Sequence, residues 1–111
     1  MSERRSDKRR EVCFDAVWDG ESGNYEARIT DLSEGGCYID SLSEACLDEI
    51  LNFKLRLPSG EWLALTGKVA HGTPQLGFGV RFVNLTEAQI EKIRSLITEM
   101  EPPQDPVIVT K

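Results

Sequence analysis

Only one stretch of this chain carries a sustained helical pattern, and it comes near the end. Thr86 and Gln89 stand at capping-box spacing, with Leu85 and Ile90 at the positions of a hydrophobic staple. Ile90, Ile93, Leu96, Ile97 and Met100 then recur on one face, and Glu101-Pro102-Pro103 stops the run. What precedes it reads mainly in short extended pieces. Several strands followed by a single helix argue against a doubly wound sheet and for an all-β barrel with a terminal helix. The apolar stripe is expected to close an open end of that barrel.

The strands can be placed from period-two alternation. Leu51 to Leu57 alternates without a break, putting Leu51, Phe53, Leu55 and Leu57 inward and Lys54 and Arg56 in water. Pro58-Ser59-Gly60 turns the chain, and Glu61 to Val69 returns as the hairpin partner. Val12 to Trp18, Tyr25 to Thr30 and Gly36 to Asp40 are β-prone as well, with Glu21-Ser22-Gly23-Asn24 as a hairpin turn. His71 to Gln75 reads as a loop. In Gly77 to Phe82, Phe78, Val80 and Phe82 face one way while Gly77, Gly79 and Arg81 face the other. Ser43 to Ile50 is a helical turn or a loop, since Ser43 can cap and Leu47 and Ile50 are at helical spacing. A chain of 111 residues supports one modest core. Its organisation is expected to be an arm over 1–11, the barrel and helix over 12–100, and a tail over 101–111. The chain has no apolar stretch long enough to span a bilayer and no signal-peptide pattern, so a cytoplasmic location is expected.

Chemistry for catalysis is missing from the pattern. The one histidine, His71, has no clear nucleophile or acid partner nearby in sequence, and Ser33 lacks a G-x-S-x-G setting. Cys13, Cys37 and Cys46 contain no C-x-x-C pair, and with His71 their spacing fits no zinc pattern. Cys13 and Cys37 are expected to be buried, reduced thiols. The expectation is a binding module, not an enzyme, with no metal and no cofactor.

Two features point to an anionic ligand. Asp31-Leu32-Ser33-Glu34-Gly35-Gly36 lies between strand-like runs, and its glycines let a backbone approach something closely. Residues 1–11 carry five basic and three acidic side chains, a formal +2. The remainder carries eight basic and sixteen acidic, a formal −8, for a net charge of −6. An acidic protein has gathered its cations in one short arm that lacks apolar anchors.

The residues Arg5-Ser6-Asp7-Lys8-Arg9 match R-x-x-x-R, and Asp31 to Gly36 matches [D/N]-x-S-x-x-G. In this order they resemble the two signature motifs of the PilZ domain, and Gly77 to Phe82 resembles that family's last strand. The resemblance covers about Arg4 to Ile97. It implies a six-stranded antiparallel β-barrel closed by a C-terminal helix, acting as a receptor for cyclic di-GMP. It assigns Arg5 and Arg9 to the ligand's phosphates and guanines, Asp31 to a guanine edge, Ser33 to a ligand hydrogen bond, and Gly36 to close backbone approach. Arg4, Arg10, Gly35 and His71 are possible additional contacts. Arg4 and Arg10 read equally as solvated cations, and His71 as a partly exposed loop residue. The resemblance also implies an unidentified effector protein that responds when the arm orders. Two alternatives stand beside it. A basic arm can bind nucleic acid, although the acidic body opposes a long polyanion, and a PilZ-like fold can serve as an interaction module without ligand.

Overall fold

The computed structural model describes residues 9–20 and 23–100. Six strands run β1 (Arg10–Gly20), β2 (Gly23–Leu32), β3 (Gly36–Asp40), β4 (Ile50–Arg56), β5 (Trp62–Thr73) and β6 (Gly77–Phe82), followed by α1 (Glu87–Met100). They close into a barrel in the order β1-β2-β3-β6-β5-β4, with every neighbouring pair antiparallel. Closure removes the free edges that an open sheet would present.

The alternation seen in the sequence is the alternation of burial. Phe14, Ala16 and Trp18 of β1, Leu51, Phe53 and Leu55 of β4, and Phe78, Val80 and Phe82 of β6 all point into one core. Lys54 and Arg56 are exposed, each about 5 Å from the ring of Trp62 on β5, at 5.2 and 5.5 Å. Trp18 packs on Tyr25 with the rings tilted by 34° and centroids 4.6 Å apart, and meets Phe78 edge-on at 5.1 Å. Its buried Nε1–H donates to Ser41 Oγ at 3.1 Å, which gives an indole at the centre of the core its partner.

The helix starts as its sequence predicts. Thr86 N–H donates to Gln89 Oε1 at 2.7 Å and Gln89 N–H donates to Thr86 Oγ1 at 3.1 Å, a reciprocal capping box. Gln89 Nε2 also donates to the Ala64 carbonyl at 2.8 Å, tying the first turn to β5. Ile93, Leu96 and Ile97 are buried in the barrel core. The Met100 side chain and the tail over 101–111 lie outside the described residues.

Several boundaries differ from the sequence reading. β1 begins at Arg10, where Arg10 and Glu11 pair with Leu32 and Asp31, so the barrel reaches into the expected arm. Residues 41–49 form a loop with no helical turn: Glu49 N–H donates to the Cys46 carbonyl in a tight turn, and β4 opens directly at Ile50. Leu47 and Ile50 are both exposed, so their helical spacing reflects no shared buried face. β5 runs on to Thr73, taking His71 out of the expected loop and into a strand. Cys13 is exposed, because it shares the outward parity of Asp15 rather than the inward parity of Phe14. Cys37 is buried, and burial together with the nearby Asp31 carboxylate pushes its thiol far above the ordinary range.

Candidate functional site

Two bulges aim the site. Ile29 faces the core, so strict alternation would turn Asp31 inward as well. A register shift between Ile29 and Asp31 absorbs Thr30 as an extra residue, so that Asp31 pairs with Tyr38 and Leu32 pairs with Cys37. Leu32 takes the core position, 0% exposed, and Asp31 goes to the outer face. A second shift, between Val69 and His71, absorbs Ala70 in the same way. His71 therefore faces outward opposite Gly79. Across β2, β3, β6 and β5 the outer face reads Asp31, Tyr38, Gly79, His71. Gly79 has no Cβ to hold the His71 ring away, and that ring lies stacked on Tyr38 with centroids 6.2 Å apart.

The motif itself is half strand and half turn. Asp31 and Leu32 end β2, and the chain reverses over Ser33, Glu34 and Gly35. Ser33 is 0% exposed. Its hydroxyl donates to the Gly36 carbonyl at 3.2 Å and accepts from Gly35 N–H at 3.3 Å, while Ser33 N–H donates to the same carbonyl at 2.9 Å. The only proton on Ser33 Oγ is thus used inside the turn, which it holds in shape. Gly36 pairs with Arg81 of β6, and a Cβ there would run into the Val80 carbonyl oxygen. The close approach that requires a glycine is therefore met within the barrel itself. Glu34 Oε1 accepts from Arg94 Nε at 3.3 Å, linking the turn to α1.

Arg9 stands just before β1 and donates Nε–H to Asp31 Oδ2 at 3.1 Å. The pair is half exposed at Arg9 and one-third exposed at Asp31, so it contributes at most about 1 kcal/mol to stability. What it does is hold the guanidinium in place. The second oxygen, Asp31 Oδ1, is buried and has no hydrogen-bond partner among the described residues. A buried carboxylate oxygen without a donor is costly and calls for one.

Beside this pair lies an open cleft of about 380 Å3. Ser33, Gly35 and Gly36 of the motif line it, as do Ala70, His71 and Gly79, with Arg9 and Arg81 supplying two cations. The structure thus gathers Arg9, Ser33, Gly35, Gly36 and His71 around one concavity on the barrel's outer wall, and Asp31, bonded to Arg9, is not among its lining residues. Arg10 opens β1 opposite Leu32 and does not line the cleft. Arg4 and Arg5 lie outside the described residues. Arg81 and Tyr38 were not singled out from the sequence. For Arg81 a signal existed, since it shares the outward face of Gly77 and Gly79. Tyr38 gave none, because a strand tyrosine reads as readily as packing.

Among the described residues no group of three or more His, Cys, Asp or Glu side chains is placed to hold a metal. No helix among them is long and apolar enough to cross a membrane.

No curated protein matches the chain. Solved structures do. The PilZ domain of YcgR from Escherichia coli with c-di-GMP superposes with a TM-score of 0.77 at 12% identity, covering 88% of this chain and 92% of that one. YcgR in complex with c-di-GMP, also from Escherichia coli, gives 0.75 at 13% identity, over 87% of this chain and 46% of that chain. The K. pneumonia MrkH–c-di-GMP complex gives 0.75 at 19% identity, over 88% and 52%. The chain spans about half the length of those YcgR and MrkH chains. At such identities these likenesses establish the shared barrel-and-helix fold. The PilZ domain family model matches residues 3–99, nearly the whole sequence, and this chain belongs to that family.

Proposed function

We propose that this protein is a receptor module for cyclic di-GMP, gripping the ligand between its arginine-bearing N-terminal segment and the Asp31–Gly36 motif. The observation that carries the reading is the Asp31 carboxylate: one oxygen occupied by Arg9, the other buried and without a donor among the described residues. Membership of the PilZ family supports it, as do the structural neighbours whose descriptions name c-di-GMP.

The ligand's chemistry fits the groups present. Cyclic di-GMP has two phosphodiester anions and two guanines. Arg9 spends Nε–H on Asp31 and keeps its terminal N–H groups for a phosphate or for guanine O6 and N7, while its plane can stack on a purine. Arg5 supplies the second guanidinium of the R-x-x-x-R element. Asp31 Oδ1 accepts from guanine N1–H and N2–H2, which explains a carboxylate in a site that must also hold two phosphates. Ser33 acts by shaping the turn and Gly36 by letting β3 and β6 close beneath the ligand. With ligand present the arm closes over the cleft and alters the surface that a partner protein reads, in the cytoplasm. The acidic body, a formal −8 outside residues 1–11, disfavours nucleic acid as the polyanion recognised.

Calorimetric titration tests this reading at fixed salt, with cyclic di-GMP beside cyclic di-AMP, GTP and single-stranded oligonucleotides. Cyclic di-GMP binds, and Arg5→Ala and Arg9→Ala each cost about 1.5–3 kcal/mol, the worth of a hydrogen-bonded charge. Asp31→Asn retains one acceptor oxygen and weakens binding mildly. Asp31→Ala costs about 1–3 kcal/mol and narrows the preference over cyclic di-AMP, whose adenine lacks those donors. An alanine variant that keeps full affinity and selectivity makes Asp31 a structural residue of the strand end. Oligonucleotide binding without cyclic di-GMP binding overturns the proposal outright.

A further inference from the structure

The end of the barrel away from α1 has a different character. There the β3–β4 loop meets the β5–β6 turn, joined by Ser41 N–H donating to the Leu76 carbonyl at 3.3 Å. Three large aliphatic side chains stand in water on these segments: Leu42 at 89%, Leu47 at 65% and Leu76 at 60% exposed. Single exposed leucines are ordinary, but three on two loops that touch each other are not. Between the loops runs a groove of about 280 Å3, with Phe78 and Val69 at its base and Ala45, Leu47 and Pro74 on its sides.

The backbone on both sides is held in an unfavourable form. Asp48, next to Leu47, has φ of 68°, and Gln75, next to Leu76, has φ of 67°. Both lie in the left-handed region that residues with a Cβ seldom occupy. Such conformations persist only where the surroundings impose them, and they collect at ligand clamps and binding loops. Here each one flanks an exposed leucine.

Charge selects the partner. From Asp40 to Ile50 the chain carries four carboxylates, Asp40, Glu44, Asp48 and Glu49, and no cation. The β5–β6 turn from Gly72 to Gly77 carries no charge at all. Lys68 of β5 comes within 4.0 Å of Asp48, a distant and exposed contact that leaves the rim acidic. Glu44 lines the groove itself.

We propose that this groove docks a partner protein through an extended or helical segment whose apolar side chains are flanked by lysine or arginine. Leu47 and Pro74 line the groove and supply the contact that excludes water, Leu76 stands exposed next to Gly77 of its lining, and the carboxylates select a basic frame and speed encounter. The groove is distinct from the ligand cleft, so the proposal does not depend on cyclic di-GMP binding.

The test is selection of a random peptide library, displayed on phage, against the full chain, followed by fluorescence anisotropy with the enriched peptides as synthetic probes. The enriched sequences combine aliphatic or aromatic residues with lysine or arginine. Their affinity for Leu47→Ser and Leu76→Ser falls by about tenfold or more, as expected for hot-spot truncation. Glu44→Lys weakens the same peptides, and Trp62→Ala, on another face, does not. All of these side chains are solvent-exposed, and circular dichroism confirms that each variant folds. The proposal fails if no peptide is enriched, if the winners are acidic, or if both serine variants bind like the wild type. It fails equally if sedimentation shows a concentration-dependent dimer that Leu47→Ser dissolves, since a second copy would then be the occupant.

Discussion

Replacing Gly36 by alanine separates two reasons for having a glycine in the motif. In the barrel, a Cβ at Gly36 collides with the Val80 carbonyl oxygen and crowds the Arg81 Cα. Both obstacles are backbone atoms of the neighbouring strand, so no side-chain rotation relieves them. The β3–β6 pair must open locally or the turn must shift. Overpacking of this kind costs about 1–3 kcal/mol. Gly72→Ala is the matched control: it lies on a strand, its φ is outside the left-handed region, and a Cβ there meets nothing within 4 Å. That substitution leaves stability unchanged or raises it by about 0.4–1 kcal/mol, through the unfolded chain alone. Urea unfolding followed by tryptophan fluorescence reads the difference, because Trp18 sits in the core. With an m-value of about 1–3 kcal/mol/M, the Gly36→Ala midpoint falls by roughly 1 M. Equal midpoints for Gly36→Ala and wild type refute the strand-contact argument. If cyclic di-GMP binding were then lost without any loss of stability, the glycine would serve the ligand's approach instead.

Four other perturbations each test a single feature. Ser41→Ala removes the acceptor of the buried Trp18 Nε1–H and lowers stability by about 1–3 kcal/mol in the same urea assay; no change means that another acceptor takes over. In native protein a thiol reagent modifies the exposed Cys13 and Cys46 rapidly and spares Cys37, as counted by mass spectrometry. Because burial raises the Cys37 thiol in the fold, its contribution is complete below the unfolded value of about 8.5 and declines above it, by at most about 1.4 kcal/mol per pH unit. Cys37→Ala therefore unfolds with a flatter dependence on pH between 9 and 10 than the wild type, and parallel slopes contradict this. Arg81→Ala removes the cleft's second cation and weakens cyclic di-GMP by about 1 kcal/mol or more, with a shallower salt dependence; unchanged titrations exclude Arg81 from the site.

Much of the architecture was legible because one physical rule governs most of it. A strand with one wet face must alternate, and Leu51–Leu57 does so without exception, while in β6 Phe78, Val80 and Phe82 hold the inward parity although Gly77 and Gly79 on the other face are covered as well. The helix was legible for a second reason: its start is local chemistry, Thr86 and Gln89 bonding reciprocally whatever lies around them. Errors arose where a local pattern had two physical meanings. Leu47 and Ile50 are three apart, which is helical spacing, yet neither is buried and the segment between them is a turn. Gly, Thr and Pro after His71 read as a loop, but antiparallel pairing with β6 carries the strand through to Thr73.

The candidate site reads in the sequence as residue types and not as a geometry, and the bulges explain the difference. Period two places Asp31 on the face of Ile29, inside the barrel, where an isolated carboxylate could not remain charged. It likewise places His71 on the face of Val69. Only an added residue in each strand, Thr30 in β2 and Ala70 in β5, turns both side chains outward. Nothing in Ile-Thr-Asp-Leu or Val-Ala-His-Gly announces a bulge, since the shift exists only against the partner strand. The consequence is chemical. The bulge that sends Asp31 out sends Leu32 in, so the residue that fixes the strand in the core also fixes the carboxylate on the outer face against Arg9. Leu32, 0% exposed, is therefore a positioning residue for Asp31 as much as a core residue.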